Sequence, residues 1–151
     1  MTDQNITPSQ NDDSRWRLRF SNFERAYFTF CRLIKRYEKD SGDEVVLIAI
    51  VHAFEFTYEI AWNLLRNYLK EEGHGEANGS KQTIRLAFKA GIIQEQDIEQ
   101  WMDAIKNRNL TNSIYDQTIL QDLIDFLVKN FFPIVSKLHA DFDILMRNHE
   151  C

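Results

Sequence analysis

Val45-Val46-Leu47-Ile48-Ala49-Ile50-Val51-His52-Ala53-Phe54-Glu55-Phe56 is the stretch that decides the fold. Only His52 and Glu55 interrupt its apolar run. A helix that is apolar nearly all round belongs in the middle of a packed structure rather than on its surface. The run sits at the start of a helix expected over 44–72, with Ser41-Gly42-Asp43-Glu44 supplying capping-box spacing before it and Gly73 stopping it. Leu47, Val51, Phe54, Tyr58, Ala61 and Leu65 form one seam of this helix at steps of four and three. His52, Glu55, Glu59, Trp62 and Arg66 form a second face at the same spacing. Two carboxylates and a histidine on one face can build a site. The same pattern also suits a solvated or inter-subunit face.

Working outward, the chain before this helix carries Trp16, Phe20, Phe23, Tyr27, Phe30, Ile34 and Tyr37 as one helical stripe, so a first helix is expected over 15–39 with Ser14 as its cap. Residues 1–14 read as a disordered tail, polar and without period, and 15–148 as one domain. After the central helix, the glycine-containing loop 73–79 lacks both the preceding strand and the Gly-Lys-Ser/Thr ending of a phosphate loop. Ser80 is expected to cap a short helix over 81–90, with Ile84, Ala87 and Phe88 inward and Gly91 at its end. A fourth helix is expected over 95–109. Its stripe Ile98, Trp101, Ile105 turns polar at Arg108, Asn112 and Tyr115. The last helix spans 117–146, with Leu120, Leu123, Leu127, Phe131, Ile134 or Val135, Leu138, Phe142 and Leu145 inward and a kink expected at Pro133.

No alternation of strand type survives. The fold class is therefore all-α: an antiparallel, up-and-down bundle of about five helices, with apolar surface left over for a second copy. A length of 151 residues suits one domain, and 11 Phe provide ample core material. The net charge of −5 hides an uneven distribution: eight basic residues between Arg15 and Lys39 face only Glu24 and Glu38, leaving that segment at +6 and the rest at −11. Such a segment is either a solvated helix face or a surface for phosphate or an acidic partner. The two cysteines, Cys31 and Cys151, give no disulfide framework, and a reduced cytoplasm is the expected compartment. The N-terminus does not have the order of a secretion signal, and no membrane span is expected.

Between the last two apolar helices lies Asn107-Arg108-Asn109-Leu110-Thr111-Asn112-Ser113-Ile114-Tyr115-Asp116, dense in side chains that compete for backbone hydrogen bonds. Arg108 falls on the inward side of its helix. A buried guanidinium is costly without a partner, so it must meet a carboxylate, a ligand or a wet cleft. Glu55 and Glu59 are the available carboxylates. Ser113 with Asp116 has capping-box-like spacing, so the segment can also serve merely to end one helix and cap the next.

Three blocks carry a family resemblance: Phe54-Glu55-Phe56-Thr57-Tyr58-Glu59-Ile60-Ala61-Trp62, then Ala87-Phe88-Lys89-Ala90-Gly91-Ile92-Ile93, then Arg108-Asn109-Leu110-Thr111 with Tyr115-Asp116. In order and spacing they resemble the nucleotidyltransferase substrate-binding proteins, the HepT-like branch of the HEPN superfamily, over about 17–145. The resemblance implies a dimerising helical bundle that partners a minimal nucleotidyltransferase encoded nearby, in many cases as a toxin–antitoxin pair. In such pairs, the resemblance implies, the HEPN protein is the toxin, generally an RNA-cleaving one, and in some the nucleotidyltransferase adenylylates its tyrosine. The family motif is Arg, four residues, His, one residue, Tyr. Arg108, Asn109 and Tyr115 match it, whereas Ser113 occupies the histidine position.

A serine hydroxyl cannot exchange a proton near neutral pH as an imidazole does, and loss of a general acid or base typically removes about 10²–10⁴-fold in rate. Arg108 can still hold a phosphate bidentately, and Tyr115 can still accept an adenylyl group. The residues thus favour nucleotide or RNA binding at Arg108, Asn109, Tyr115, Glu55 and Glu59 over catalysis at Arg108 and Ser113, with neither metal nor cofactor. Two other readings stay open: a ribonuclease with an altered acid–base group, for which His52 is the nearest substitute, and a non-catalytic dimerisation scaffold.

Overall fold

In the computed structural model, backbone is described for residues 7–150 and side chains for 15–148. The chain forms α1 (Thr7–Lys39), α2 (Glu44–Glu71), α3 (Gly79–Lys89), α4 (Glu95–Arg108), α5 (Gln117–Phe126) and α6 (Phe132–Glu150). A 3₁₀ turn, Thr111–Ser113, precedes α5, and a π-helical turn, Leu127–Phe131, joins α5 to α6 without a break. With that last rod taken as one, the described residues form five helices and no strand, the expected all-α bundle. Ser14 lies within the backbone of α1 rather than at its start. Residues 1–6 and the side chains of 7–14, on which the expected tail falls, lie outside the described residues.

The central helix is α2. All six residues of its expected seam are buried, and they pack against the buried Trp16, Phe20, Phe23, Phe30 and Ile34 of α1. Each large side chain removed from water here contributes about 1.5–3 kcal/mol. By length and composition α2 is apolar enough to cross a membrane. In this structure 44% of its most apolar stretch is buried in the bundle, and Val45, Ile48 and Phe56 stay exposed.

At Pro133, where a kink is expected, the last rod carries a π-helical turn. Pro133 has no N–H, and its ring crowds the carbonyl four residues earlier. The chain answers with a wide turn, in which the Phe132 N–H bonds to the Leu127 carbonyl, and continues as α6. That turn sets Phe131 at the meeting point of three other helices. Its ring makes edge contacts with Phe54 at 4.8 Å, Phe30 at 5.7 Å and Trp101 at 6.1 Å.

Three further caps differ from the sequence expectation. Asp43, not Ser41, caps α2, because its carboxylate reaches the Val45 N–H at 3.0 Å. Asn78, not Ser80, precedes α3, and the Gln82 side chain accepts its backbone N–H at 2.9 Å. Asp116 itself caps α5, accepting from Thr118 N–H at 2.8 Å and Ile119 N–H at 3.2 Å, so Ser113 takes no part. On α3, Phe88 points outward, while Thr83 is buried with its hydroxyl bonded to the Gly79 carbonyl at 2.8 Å. Gly91 has φ +83°, as a residue ending a helix in the left-handed region should.

Three polar ties hold α6, the first being the Tyr27 hydroxyl, which donates to Ser136 Oγ at 2.9 Å. His139 Nε2 lies 2.8 Å from Glu24 Oε2, and its ring stacks on Tyr27 at 4.6 Å. Lys137 Nζ lies 3.0 Å from Asp97 Oδ2 and 2.8 Å from Gln94 Oε1, tying α6 to the start of α4. Beside it, burial raises the Asp141 carboxyl above the usual range; Lys137 opposes the shift and Asp97 adds to it. A raised folded-state value means this group favours folding below its ordinary value and loses that contribution as pH rises through the folded one. Asp141→Asn should therefore raise the melting temperature at pH 7, with the difference closing as the pH approaches about 4. Thermal melts across that range check this; a lower melting temperature at pH 7 would mean that attraction to Lys137 outweighs burial.

Candidate functional site

Arg108 is the last residue of α4. Beyond it the backbone tightens: Leu110 N–H bonds to Asn107 O at 3.0 Å, Ser113 N–H to Leu110 O at 2.9 Å and Asp116 N–H to Ser113 O at 3.1 Å. The stripe of α4 therefore ends at Arg108, and Asn112 and Tyr115 do not continue it. The short turn tucks Thr111 inward, where it is buried.

The buried hydroxyl and the guanidinium converge on α2. Arg108 Nη1 lies 3.0 Å from Glu55 Oε2 and 3.1 Å from Thr111 Oγ1, to which it donates. Thr111 Oγ1 lies 2.8 Å from the same Glu55 oxygen and 2.9 Å from the Arg108 carbonyl. Its single hydrogen serves one acceptor, and the ionised carboxylate is the stronger. The other Glu55 oxygen lies 3.3 Å from His52 Nδ1. Glu55 thus receives α4, the turn after it and its own helix neighbour. The described contacts of the Arg108 side chain all fall on Nη1. A planar guanidinium has a second edge, which can hold a phosphate or carboxylate through two further N–H groups.

An open cleft of about 530 Å³ lies here. Arg19, His52, Glu55, Glu59, Asn63 and Arg108 supply its polar wall, and Phe56 and Ile60 its apolar one. Glu59 accepts the Trp62 indole N–H at 2.9 Å. Beneath, Tyr58 is buried, and burial pushes its hydroxyl above the ordinary phenol value; the Ser80 hydroxyl and the Arg108 charge oppose the shift, while Glu59 adds to it. The Tyr58 hydroxyl therefore stays protonated at neutral pH.

Of the residues expected from sequence, Arg108, Glu55 and Glu59 meet in this cleft. Asn109, Ser113 and Tyr115 do not line it. All three are exposed, Tyr115 at 93%, so Tyr115 is no core aromatic. The expectation of a carboxylate partner for Arg108 is met by Glu55. Sequence reasoning treats Thr111 only as a helix breaker, though its place three residues after an inward arginine is a usable signal. It misses Arg19, because only the packing of α1 on α2 brings that residue here.

The family described as nucleotidyltransferase substrate binding protein like matches residues 18–143, a span that contains α2 to α5 whole and every residue of the cleft. The crystal structure of ttk003001694 from Thermus thermophilus is similar, with a TM-score of 0.66 and 25% identity over 78% of this chain and 92% of that one. No curated protein matches. The matching span covers most of the chain, and the helical bundle agrees with it: the chain belongs to the nucleotidyltransferase substrate binding protein like family.

Proposed function

We propose that the chain is the substrate-holding partner of a minimal nucleotidyltransferase encoded nearby, and that its Arg108 cleft binds the phosphate of a nucleotide or of RNA. The observation that carries this is Arg108, fixed through Nη1 by Glu55 and Thr111 at the mouth of a cleft, while the serine at 113 supplies no proton-transfer group. The family's name supports the partner. The HEPN likeness supports a toxin–antitoxin type of pair in a cytoplasmic setting. The exposed Val45 and Ile48 of α2 offer apolar surface to a second copy in a homodimer.

Tyr115 is the proposed site of modification, because its hydroxyl stands free of the core. In that step the phenolic oxygen attacks the α-phosphorus of a nucleoside triphosphate. The bond to the bridging oxygen breaks, pyrophosphate leaves, and the phenolic proton passes to solvent. Asn109 adds a polar side chain at the end of α4, close in sequence to the phosphate-holding Arg108.

A second reading has one observation in its favour. His52 shares the cleft with Arg108 and touches Glu55, so an imidazole is present although it is not the one at the motif position. A ribonuclease would use it to take up the proton of a 2′-hydroxyl.

Two measurements separate these readings. Co-expressed with the neighbouring nucleotidyltransferase, the chain should co-purify as a complex, and titration with ATP should show binding that Arg108→Ala weakens about 10-fold or more, the worth of a charge-assisted bidentate contact. The melting temperature should move little, because a half-exposed ion pair contributes at most about 1 kcal/mol. Unchanged affinity, or no complex at micromolar concentration, contradicts the proposal. Expressed alone, the chain should leave growth and cellular RNA intact; RNA loss that His52→Ala abolishes would establish the second reading instead.

A further inference from the structure

Arg19, Asn22, Arg25, Thr29, Arg32 and Arg36 recur on α1 at steps of three and four, and all are exposed. They therefore make one face of the helix. Arg25 donates to Asn22 Oδ1 at 3.1 Å and Arg32 to Thr29 Oγ1 at 3.1 Å. These partners are neutral, so they orient the guanidinium groups without cancelling their charge.

Three hollows lie along this face. The first is the Arg108 cleft, which Arg19 reaches. The second, about 500 Å³, runs between α1 and α2, with Arg19 and Arg25 on one side and Phe56 and Thr57 on the other. The third, about 380 Å³, is bounded by Thr29, Arg32 and Arg36. The first and second share Arg19 and Phe56; the second and third share Thr29. No carboxylate lines the second or third. In the first, Glu55 is paired with Arg108 and bonded to Thr111, whereas Glu59, bonded to the neutral Trp62 indole, keeps its charge at the far end of the face. Phe56 stands 62% exposed between two hollows, and the buried Thr57 hydroxyl in the wall of the second has no hydrogen-bond partner.

We propose that this face of α1, together with Phe56, is a track for a single-stranded polynucleotide that leads into the Arg108 cleft. The proposal rests on the reading of that cleft as a phosphate site. Phosphates lie on the guanidinium groups. Bases enter the hollows, and one stacks on Phe56, as every base can on an exposed aromatic ring. A duplex keeps its bases paired and offers nothing to Phe56. An acidic peptide would suit the arginines but leave the ring and the hollows unused. The helix rises about 26 Å from Arg19 to Arg36 at about 1.5 Å per residue. A strand stacked at about 3.4 Å per nucleotide would need about eight nucleotides to span it, and one whose bases turn out into the hollows needs fewer.

The test uses the full chain and fluorescence anisotropy with a labelled eight-nucleotide oligouridylate, an oligothymidylate of equal length and a polyglutamate peptide, with ATP titrated separately. Arg25→Glu with Arg32→Glu should lower oligonucleotide affinity about 10-fold or more and reduce the slope of log affinity against log salt by about 1.4, the value for two single-strand phosphate contacts. ATP binding at Arg108 should stay unchanged in that variant. Arg25→Gln with Arg32→Gln should show a smaller loss in the same direction, and circular dichroism melts confirm that both fold. Phe56→Ala should weaken the oligonucleotide about 5-fold or more, the worth of one stacked base. Comparison of the uridylate and thymidylate arms shows whether the track takes RNA alone.

Oligonucleotide binding untouched by either arginine variant overturns the track. So does polyglutamate binding as tightly as oligouridylate with no effect of Phe56→Ala, which would make the face a site for an acidic protein. A change in molar mass by light scattering, without a change in affinity, would make it a self-association surface and overturns the track as well. Failure of the underlying reading looks different: Arg108→Ala would then leave both ATP and oligonucleotide binding unaltered.

Discussion

The contact between Glu55 and Arg108 ties the candidate site together. Arg108 ends its helix facing α2 and is only partly desolvated, so a carboxylate partner orients the guanidinium at modest energetic worth. Glu55 of α2 partners it at 3.0 Å, and the buried Thr111 closes the triangle. Three consequences follow. The end of α4 is tied to the central helix, the chain beyond it turns tightly toward α5, and the charged edge of Arg108 sits at the mouth of a cleft. The phosphate reading, the neighbouring histidine and the track along α1 all depend on that placement.

The helices are legible in the sequence because burial imposes its period on side-chain choice. The stripes of α1, α2 and the last rod read off the sequence correspond to the buried residues, with Tyr27, Tyr37 and Leu145 half-buried at the margins. Differences gather where the period is silent. A helix start is set by which oxygen reaches which N–H, and Ser41 and Asp43, or Asn78 and Ser80, stand only two residues apart. Apolarity alone points Phe88 inward, although the smaller Thr83, with its hydroxyl bonded to the helix, fits the inner face better. At Pro133 a missing donor and a ring clash are evident in the sequence, whereas the wide turn that accommodates them, and the three aromatic rings that meet Phe131 there, are not.

The site is legible in part. An inward arginine with two glutamates on the central helix predicts an ion pair, and Glu55 makes it. Nothing in one dimension chooses Glu55 over Glu59, which turns instead to Trp62, its neighbour less than one turn further along the same helix. The motif residues after Arg108 are expected to share its location. The 3₁₀ turn breaks that sharing and leaves Ser113 and Tyr115 in solvent. Arg19 enters the cleft by tertiary packing, which no local pattern encodes. The excess of positive charge in 15–39 is visible in the sequence, but its alignment with three connected hollows emerges only in the fold.

In the proposed site, Glu55 and Thr111 hold Arg108 ready for a phosphate rather than merely neutralising it. Glu55→Gln tests this most directly, through ATP affinity measured by calorimetry beside the unaltered chain. The substitution removes a negative charge from the cleft, so if Glu55 only competes with the ligand for Arg108, affinity will rise. If Glu55 positions the guanidinium, affinity will fall, because ordering a free arginine side chain costs about 1–2 kcal/mol of conformational entropy. A fall is the result predicted here; tighter binding by Glu55→Gln would contradict the account.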